Sequence, residues 1–459
     1  MTIETAIAKL QDLLGDKIVT SDAVRDQHGA NETWFDKAPP DAVAFPESTD
    51  DVAAIVRVCN EEQCPIVAFG QGSSLEGQHL AVEGGISLDL NKMNHILQVN
   101  AEDMNVVVQP GVTRRQLQAD LRATGMFFPI DPGADASFGG MAATRASGTT
   151  AVRYGTMREN ILALEAVMAD GTVIRTGSKA RKSSSGYDLT HLLIGSEGTL
   201  GIITEITLKL YGVPEATSAA TCRFPSVEDA VNAVILTIQS GIPMARIELV
   251  DEMMVRGFNL YSKTDLPEEP HLFVEFHGSP SGVKDQATHF GEIAEEFGGS
   301  DFNWADREED RAKLWRMRHD AHFASGTLAP GKKPLTTDIC VPISKLADAV
   351  TSAQKEAKRL GLTAIIVGHV GDGNFHCGVL WEPSDAEERA RVEEFSNILA
   401  ENALALGGTV TGEHGIGLGK MKFMNKEHGP AIAYMRAVKA AFDPNNILNP
   451  GKMLPPGNH

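Results

Sequence analysis

The sequence predicts mixed α and β structure in two domains, and three observations carry that expectation. The chain has 459 residues, and at roughly 150 residues per domain such a length favours two or three domains over one. Hydrophobic residues make up 42% and charged residues 22%, a globular composition with enough apolar material for full cores. After Tyr211-Gly212-Val213-Pro214 the texture changes: glycine-rich loops between short strands give way to longer helices between strands. The expected division is 1–213 for the first domain, 214–411 for the second, and 412–459 for a C-terminal segment.

Ile3, Ile7, Leu10 and Leu14 recur at helical spacing, with Thr2 as N-cap and Gly15 as stop. Residues 41–69 read as a strand (42–45), a helix (50–60) and a strand (65–69) that ends at Gly70. A strand follows at 106–109 and a helix at 113–124. Residues 161–176 alternate towards a hairpin around Asp170-Gly171, and 202–210 alternates as a half-buried strand. In the second domain, helices are expected near 226–239, 283–297, 306–325, 343–359 and 384–405, with strands near 244–250, 271–277, 363–369 and 375–381. Residues 429–459 read as a closing helix and loop, because Pro444, Pro450, Pro455 and Pro456 prevent further helix.

The formal charge of −20 leaves no net basic field to replace phosphate counterions, which argues against nucleic acid as a partner. Five cysteines, Cys59, Cys64, Cys222, Cys340 and Cys377, are scattered without a CxxC pair. They predict neither a disulfide framework nor a thiolate zinc site, and they suit a reducing compartment. Charged residues interrupt 1–14, so no export signal is expected there. No run of about 18 apolar residues exists to form a transmembrane segment. A cytoplasmic protein is expected, with peripheral membrane docking left open.

Three glycine-rich stretches in the first domain carry the first chemical signal. Residues 70–78 (Gly-Gln-Gly-Ser-Ser-Leu-Glu-Gly-Gln) follow a strand directly. Glycines and serines there let backbone N–H groups wrap an anion such as a pyrophosphate. The spacing is neither a Rossmann fingerprint nor a P-loop. Residues 132–148 hold one large apolar pair, Phe138 and Met141, among small residues, which suits backbone lying against a flat ligand. Residues 194–202 form the third stretch. Three such stretches in one domain point to one large, extended cofactor.

The second signal lies in the histidines. With Asp372-Gly373 at the centre of a two-residue turn, His369 faces His376 across a hairpin. Directly opposed side chains share a face, and two imidazoles so placed can converge on a divalent ion. In Gly412-Glu413-His414-Gly415, adjacent residues of an extended segment point to opposite sides. Glu413 can then complete a metal site while His414 faces a different partner, such as a substrate hydroxyl; simple solvent exposure of both is the alternative that the spacing alone leaves open. Arg316 and Arg318 lie on a helical stretch and point to different faces, so one of them can enter a given site.

The glycine stretches, with Arg153-Tyr154-Gly155-Thr156 and Asn449-Pro450-Gly451-Lys452, resemble the FAD-binding domain of the vanillyl-alcohol oxidase family. Within it the likeness, which spans essentially the whole chain, is greatest to the FAD-linked D-2-hydroxyacid dehydrogenases of the cytochrome-type D-lactate dehydrogenase kind. The resemblance implies a two-part FAD-binding domain plus an α+β cap domain with a mainly antiparallel sheet, and a C-terminal segment that returns to FAD and the active site. It implies FAD contacts from Gly70, Gln71, Gly72, Ser73, Ser74, Gly77 and Gln78, and from Pro132, Gly133, Ser137, Gly139, Gly140, Ala143, Ser147 and Gly148. Tyr154, Gly155, Glu197, Gly198, Gly201, Ile203 and Asn449 complete the set, with 197–203 near the adenine end. Several relatives link a histidine of the first loop covalently to the flavin. Ser73 and Ser74 stand here and no histidine does, so non-covalent FAD is expected.

The resemblance also implies His369, His376 and Glu413 as ligands of Zn²⁺ or Mn²⁺, His414 as the base and Arg318 as the carboxylate-binding arginine. The implied reaction is oxidation of a small D-2-hydroxy acid, D-lactate to pyruvate first, by hydride transfer to FAD. In similar D-2-hydroxyglutarate dehydrogenases a lysine and an asparagine help hold a distal carboxylate. Thr336 and Gly378 stand at those places here, which favours a monocarboxylate, although Lys332 and Lys333 lie nearby. D-2-hydroxyglutarate or glycolate oxidation remains the alternative within the family. A metal-dependent hydrolase and a non-catalytic flavoprotein are the alternatives outside it. No CxxCH haem motif is present, so electrons are expected to leave to an external acceptor: cytochrome c, a quinone or an electron-transfer flavoprotein.

Overall fold

The computed structural model describes residues 2–31 and 33–457. Met1, Glu32 and the last two residues of the expected closing loop, Asn458 and His459, lie outside the described residues. The chain divides into two compact units. One comprises the residues up to Ser147, Gly155–Val213 and the segment from Glu413 onward; the other comprises Gly148–Tyr154 and Pro214–Gly412.

The first unit opens with the helix Ile3–Leu14. Its Thr2 hydroxyl accepts the Thr5 N–H, and Gly15 at φ +57 ends it. This helix packs beside Thr49–Glu62, whose apolar stripe of Val52, Ile55, Val56 and Cys59 is buried. Both belong to one core with a four-stranded sheet of order Ile18–Val19, Ala42–Ala44, Ile86–Asp89, Ile66–Phe69. Its last three strands run parallel, so their apolar runs are buried. A second core lies against a five-stranded antiparallel sheet of order Ile96–Asn100, Asn105–Val108, Ile202–Lys209, Ile161–Val167, Val173–Gly177. The 161–176 hairpin forms as expected, with Gly171 at φ +80 in its turn.

The 132–148 stretch contains one regular element. Phe138–Thr144 is a short helix, because Phe138 and Met141 stand three residues apart and both drop into the second core. Residues 148–154, expected in the first domain, pack with the second unit. Arg153 Nη1 donates to Pro243 O at 2.6 Å, and the Tyr154 hydroxyl meets His277 Nδ1 at 2.8 Å.

The second unit carries an antiparallel sheet of order Ser300–Ala305, Ala216–Arg223, His271–Gly278, Met244–Val250, Thr363–Gly368, Asn374–Trp381, Lys333–Thr336, with Ile339–Cys340 also paired to Asn374–Trp381. Helices Val227–Gln239, Pro280–Glu296 and Leu346–Arg359 pack together, and Glu252–Ser262 packs with Ala321–Gly326 over Phe258, Phe273 and Trp315. The single helix expected over 306–325 is two, Glu308–His319 and Ala321–Gly326, joined at Asp320.

Helix Glu252–Ser262 starts at Asp251, which is fully enclosed. One carboxyl oxygen accepts the Met254 N–H and the other the Ile366 N–H, both at 2.9 Å, so the cap also fastens the helix to a sheet strand. Burial pushes its carboxyl from 3.8 up to about 8. Between those values the folded chain holds a proton that the unfolded chain has lost, so this group's contribution to stability falls as pH rises. Asp251→Asn removes that contribution. The unfolding free energy of the variant, from urea melts at about pH 5 and about pH 8, should decline less with pH than that of the parent; equal slopes would refute the assignment.

Candidate active site and cofactor loops

In the first unit the glycine loops are held by side chains from distant parts of the chain. Asn91 Nδ2 donates to Gly70 O at 2.6 Å, and Gln71 Nε2 donates to Asn91 Oδ1 at 2.7 Å. A Cβ on Gly70 would lie 2.6 Å from Ser137 Oγ, so the first loop and the second stretch meet at a distance that glycine alone permits. Among the described residues, the N–H groups of Gly72, Ser73 and Ser74 donate to no backbone carbonyl. Those donors fit an anionic group such as a pyrophosphate.

His79, one residue beyond the first loop, is committed. Its Nε2 lies 2.8 Å from Ala30 O, a pure acceptor, so the hydrogen sits on Nε2. Nδ1 then accepts from the Ser74 hydroxyl at 2.9 Å. Burial lowers the His79 pKa, which keeps this tautomer neutral.

Three residues that the resemblance assigns to FAD spend their side chains inside the protein. Asn449 is buried with φ +43, and its Nδ2 donates to Gln78 O at 3.0 Å and to Glu197 O at 2.7 Å. Its Oδ1 accepts from Lys452 Nζ at 2.6 Å. The Glu197 carboxylate accepts the N–H groups of Ile416 and Gly417 at 2.6 and 2.8 Å. Gln78 Nε2 donates to His414 O at 2.7 Å. The backbone at the base candidate and just after it is therefore held by the first and third glycine stretches.

In the second unit the expected two-residue turn is not formed. The ladder pairs Val367 with His376 and ends at Gly368, so His369 stands in a loop and does not face His376 directly. A tight turn of the expected kind needs positive φ at both central residues, and of Asp372 and Gly373 only Gly373 has it, at +77. Val370 is buried, and Gly371 lies so close to Val152 and Ile247 that a Cβ there would meet their methyl groups at 2.6 and 2.7 Å. The loop folds inward onto the core. The two imidazoles nevertheless lie edge to face, with centroids 5.4 Å apart.

Both histidines are oriented through Nδ1. His369 Nδ1 lies 2.7 Å from Glu248 Oε1, and His376 Nδ1 lies 3.1 Å from Thr337 O. Both partners are acceptors, so both rings carry hydrogen on Nδ1. Arg318 is buried on Glu308–His319, with Arg316 exposed on another face. Its Nη2 donates to Glu248 Oε2 at 2.6 Å, while its Nε is buried with no partner. A guanidinium with unspent donors suits a carboxylate. Glu413, the third residue of the expected metal set, directly follows Gly412 and belongs to the first unit.

Glu248, which joins the arginine to a histidine, was missed by sequence reasoning. The available signal was a carboxylate between Ile247 and Leu249 in the largely apolar strand Met244–Val250. Thr336 and Gly378 are direct partners in the ladder, so the two places that would carry distal-carboxylate donors are adjacent and both lack charge. Lys332 Nζ is paired with Glu388 at 2.6 Å.

Residues 213–453 match the family described as FAD linked oxidases, C-terminal domain, and residues 40–177 match the FAD binding domain. The chain is 48% identical to the "Probable D-lactate dehydrogenase, mitochondrial" of Danio rerio, over 98% of this chain and 92% of that one. It is 44% identical to the "D-lactate dehydrogenase [cytochrome], mitochondrial" of Arabidopsis thaliana, over 98% and 80%. The fold is similar to that of 4-ethylphenol oxidase from Gulosibacter chungangensis, with a TM-score of 0.82 at 20% identity over 98% of this chain and 96% of that one.

Asn449→Ala would leave the carbonyls of Gln78 and Glu197 and the Lys452 ammonium without this partner. The expected cost is about 1–3 kcal/mol of folding free energy, read as a lower urea midpoint. An unchanged midpoint would show that Asn449 does not tie the loops.

Proposed function

This chain belongs to the FAD-linked oxidases of the vanillyl-alcohol oxidase family, and from that premise we propose that it oxidises a small D-2-hydroxy acid, D-lactate to pyruvate first among them. The observation that carries the reading is the buried group in the second unit: His369 and His376, each oriented through Nδ1, and Arg318, held by Glu248 with its Nε unpaired. The names of the relatives support the substrate. The uncharged pair Thr336 and Gly378, with Lys332 held by Glu388, supports a monocarboxylate over a second carboxylate. A hydrolase reading leaves the three glycine stretches without a role.

FAD, when bound, supplies the acceptor for the hydride from C2. The N–H groups of Gly72, Ser73 and Ser74 are suited to its pyrophosphate. The commitment of both His79 nitrogens supports a non-covalent cofactor. Flavin should therefore leave the polypeptide on acid precipitation, and yellow colour retained in the pellet would refute this.

His369, His376 and Glu413 suit a divalent ion, Zn²⁺ or Mn²⁺, by donor type. Such an ion would supply positive charge that favours the ionised hydroxyl. Arg318 binds the carboxylate and orients the acid. His414 takes the hydroxyl proton, and its backbone is held in place by Gln78 and Glu197. The electrons then pass to an external acceptor. The bracketed word in the name of the Arabidopsis relative and the charge of −20 favour a basic cytochrome c over a quinone or an electron-transfer flavoprotein. Five free cysteines support a reducing compartment such as the cytoplasm. Among the described residues no helix is long and apolar enough to cross a membrane.

Stopped-flow bleaching of bound flavin by D-lactate tests the reading. His414→Ala should slow flavin reduction by about 10²–10⁴-fold with substrate binding little changed. His376→Ala should abolish reduction with flavin content near that of the parent. A His414 variant within a few-fold of the parent removes it as base. Full activity of the His376 variant after exhaustive chelation removes the metal.

A further inference from the structure

The two histidines are oriented by different acceptors. His376 answers to a neutral carbonyl, Thr337 O, whereas His369 answers to a carboxylate that it shares with Arg318. Glu248 lies on the strand Met244–Val250 with no exposed surface. Its two oxygens serve different partners. Oε1 faces His369 Nδ1, and Oε2 accepts from Arg318 Nη2. A carboxylate so placed cannot shift towards one partner without leaving the other. The partners stand on a loop after Thr363–Gly368 and on the helix Glu308–His319, so three elements meet at this one group.

We propose that Glu248 is a positioning residue that sets the carboxylate-binding arginine and the metal-binding histidine together, so that hold on the substrate and hold on the ion depend on one side chain. The proposal rests on the functional reading above. Its physical content is a choice between acceptors and donors. With Glu248 in place, His369 keeps its hydrogen on Nδ1 and offers Nε2, as a metal ligand must. The guanidinium is charge-paired on one edge, and its remaining donors stay directed at a ligand. A glutamine has one acceptor and one donor where the carboxylate has two acceptors. Its amide N–H₂ would face either Arg318 Nη2, which repels it, or His369 Nδ1, which it would force to the opposite tautomer.

The test uses the full-length flavin-loaded protein, with Glu248→Gln as the main variant and Glu248→Ala as the second. Zn²⁺ affinity is measured by competition with a chromogenic chelator, and kcat and KM for D-lactate are measured at saturating Zn²⁺. Glu248→Ala should weaken Zn²⁺ binding by about 10–100-fold and raise KM at least as much. Glu248→Gln should show one of the two losses or both. Adding Glu248→Ala to Arg318→Lys should raise KM no further, because the effect on the acid runs through the arginine. Parental Zn²⁺ affinity and parental KM in a folded Glu248→Gln protein would overturn the proposal. So would losses in both variants that track only a lower melting temperature and recover fully on cooling. If the parent protein turns over no hydroxy acid, the functional reading fails by itself. The Zn²⁺ titration then still decides whether Glu248 governs His369.

Discussion

The first unit depends on one buried amide. Asn449 donates to carbonyls in two glycine-rich stretches and accepts from Lys452, and its own N–H bonds to Ile66 O at 2.7 Å. Loops rich in glycine lose much conformational freedom on folding and have little apolar surface with which to offset that loss. A side chain that satisfies several of their backbone groups at once supplies the missing order. Burial lowers the Lys452 pKa to about 8, since the ammonium gives up water for the oxygen of Asn449 and a nearby Glu197. Glu197 extends the tie to the chain at 416–417, so the segment that carries His414 is held by the same stretches that face the proposed cofactor.

The second unit solves a similar problem with charge. Glu248, Arg318 and His369 form a buried chain whose desolvation is offset by short, well-directed hydrogen bonds. Glu275 plays a parallel part nearby, accepting from His277 at 2.8 Å and from the Trp315 indole, with Arg246 over the Trp315 ring at 4.5 Å. Arginine near this carboxylate lowers its pKa against the opposing effect of burial. Both carboxylates occupy strands whose neighbours are apolar, so the sheet acts as a rigid frame for polar groups that would be mobile on loops.

Much of this was legible in the sequence. Periodicity found the longer helices that bury one stripe, as Ile3–Leu14 does, and a continuous apolar run found Asn374–Trp381, which is buried on both faces; Ile86–Asp89, Ala216–Arg223, Glu252–Ser262 and Ser300–Ala305 were not anticipated. Glycine density found the loops, because only glycine tolerates contacts such as that between Gly70 and Ser137. The register at His369 was misread. Asp372-Gly373 looks like a tight turn locally, but burying Val370 against the core outweighs that preference. The place of 148–154 was missed for a related reason: four helical residues have no pattern of their own, and bonds to Pro243 and His277 decide where they pack. Glu248 stayed hidden because its importance lies in two partners 70 and 121 positions away along the chain.

The first unit is assembled from three separate stretches of chain, with nearly all of the second unit inserted before the last of them. During synthesis the ribosome therefore finishes the second unit, at Gly412, before it makes Ile416, Gly417 or Asn449. Until then Glu197 and the carbonyls of Gln78 and Glu197 lack their partners. The order of maturation is thus the reverse of the order in which the units begin. The later unit can complete its contacts on the growing chain, and the earlier one waits for the end of translation.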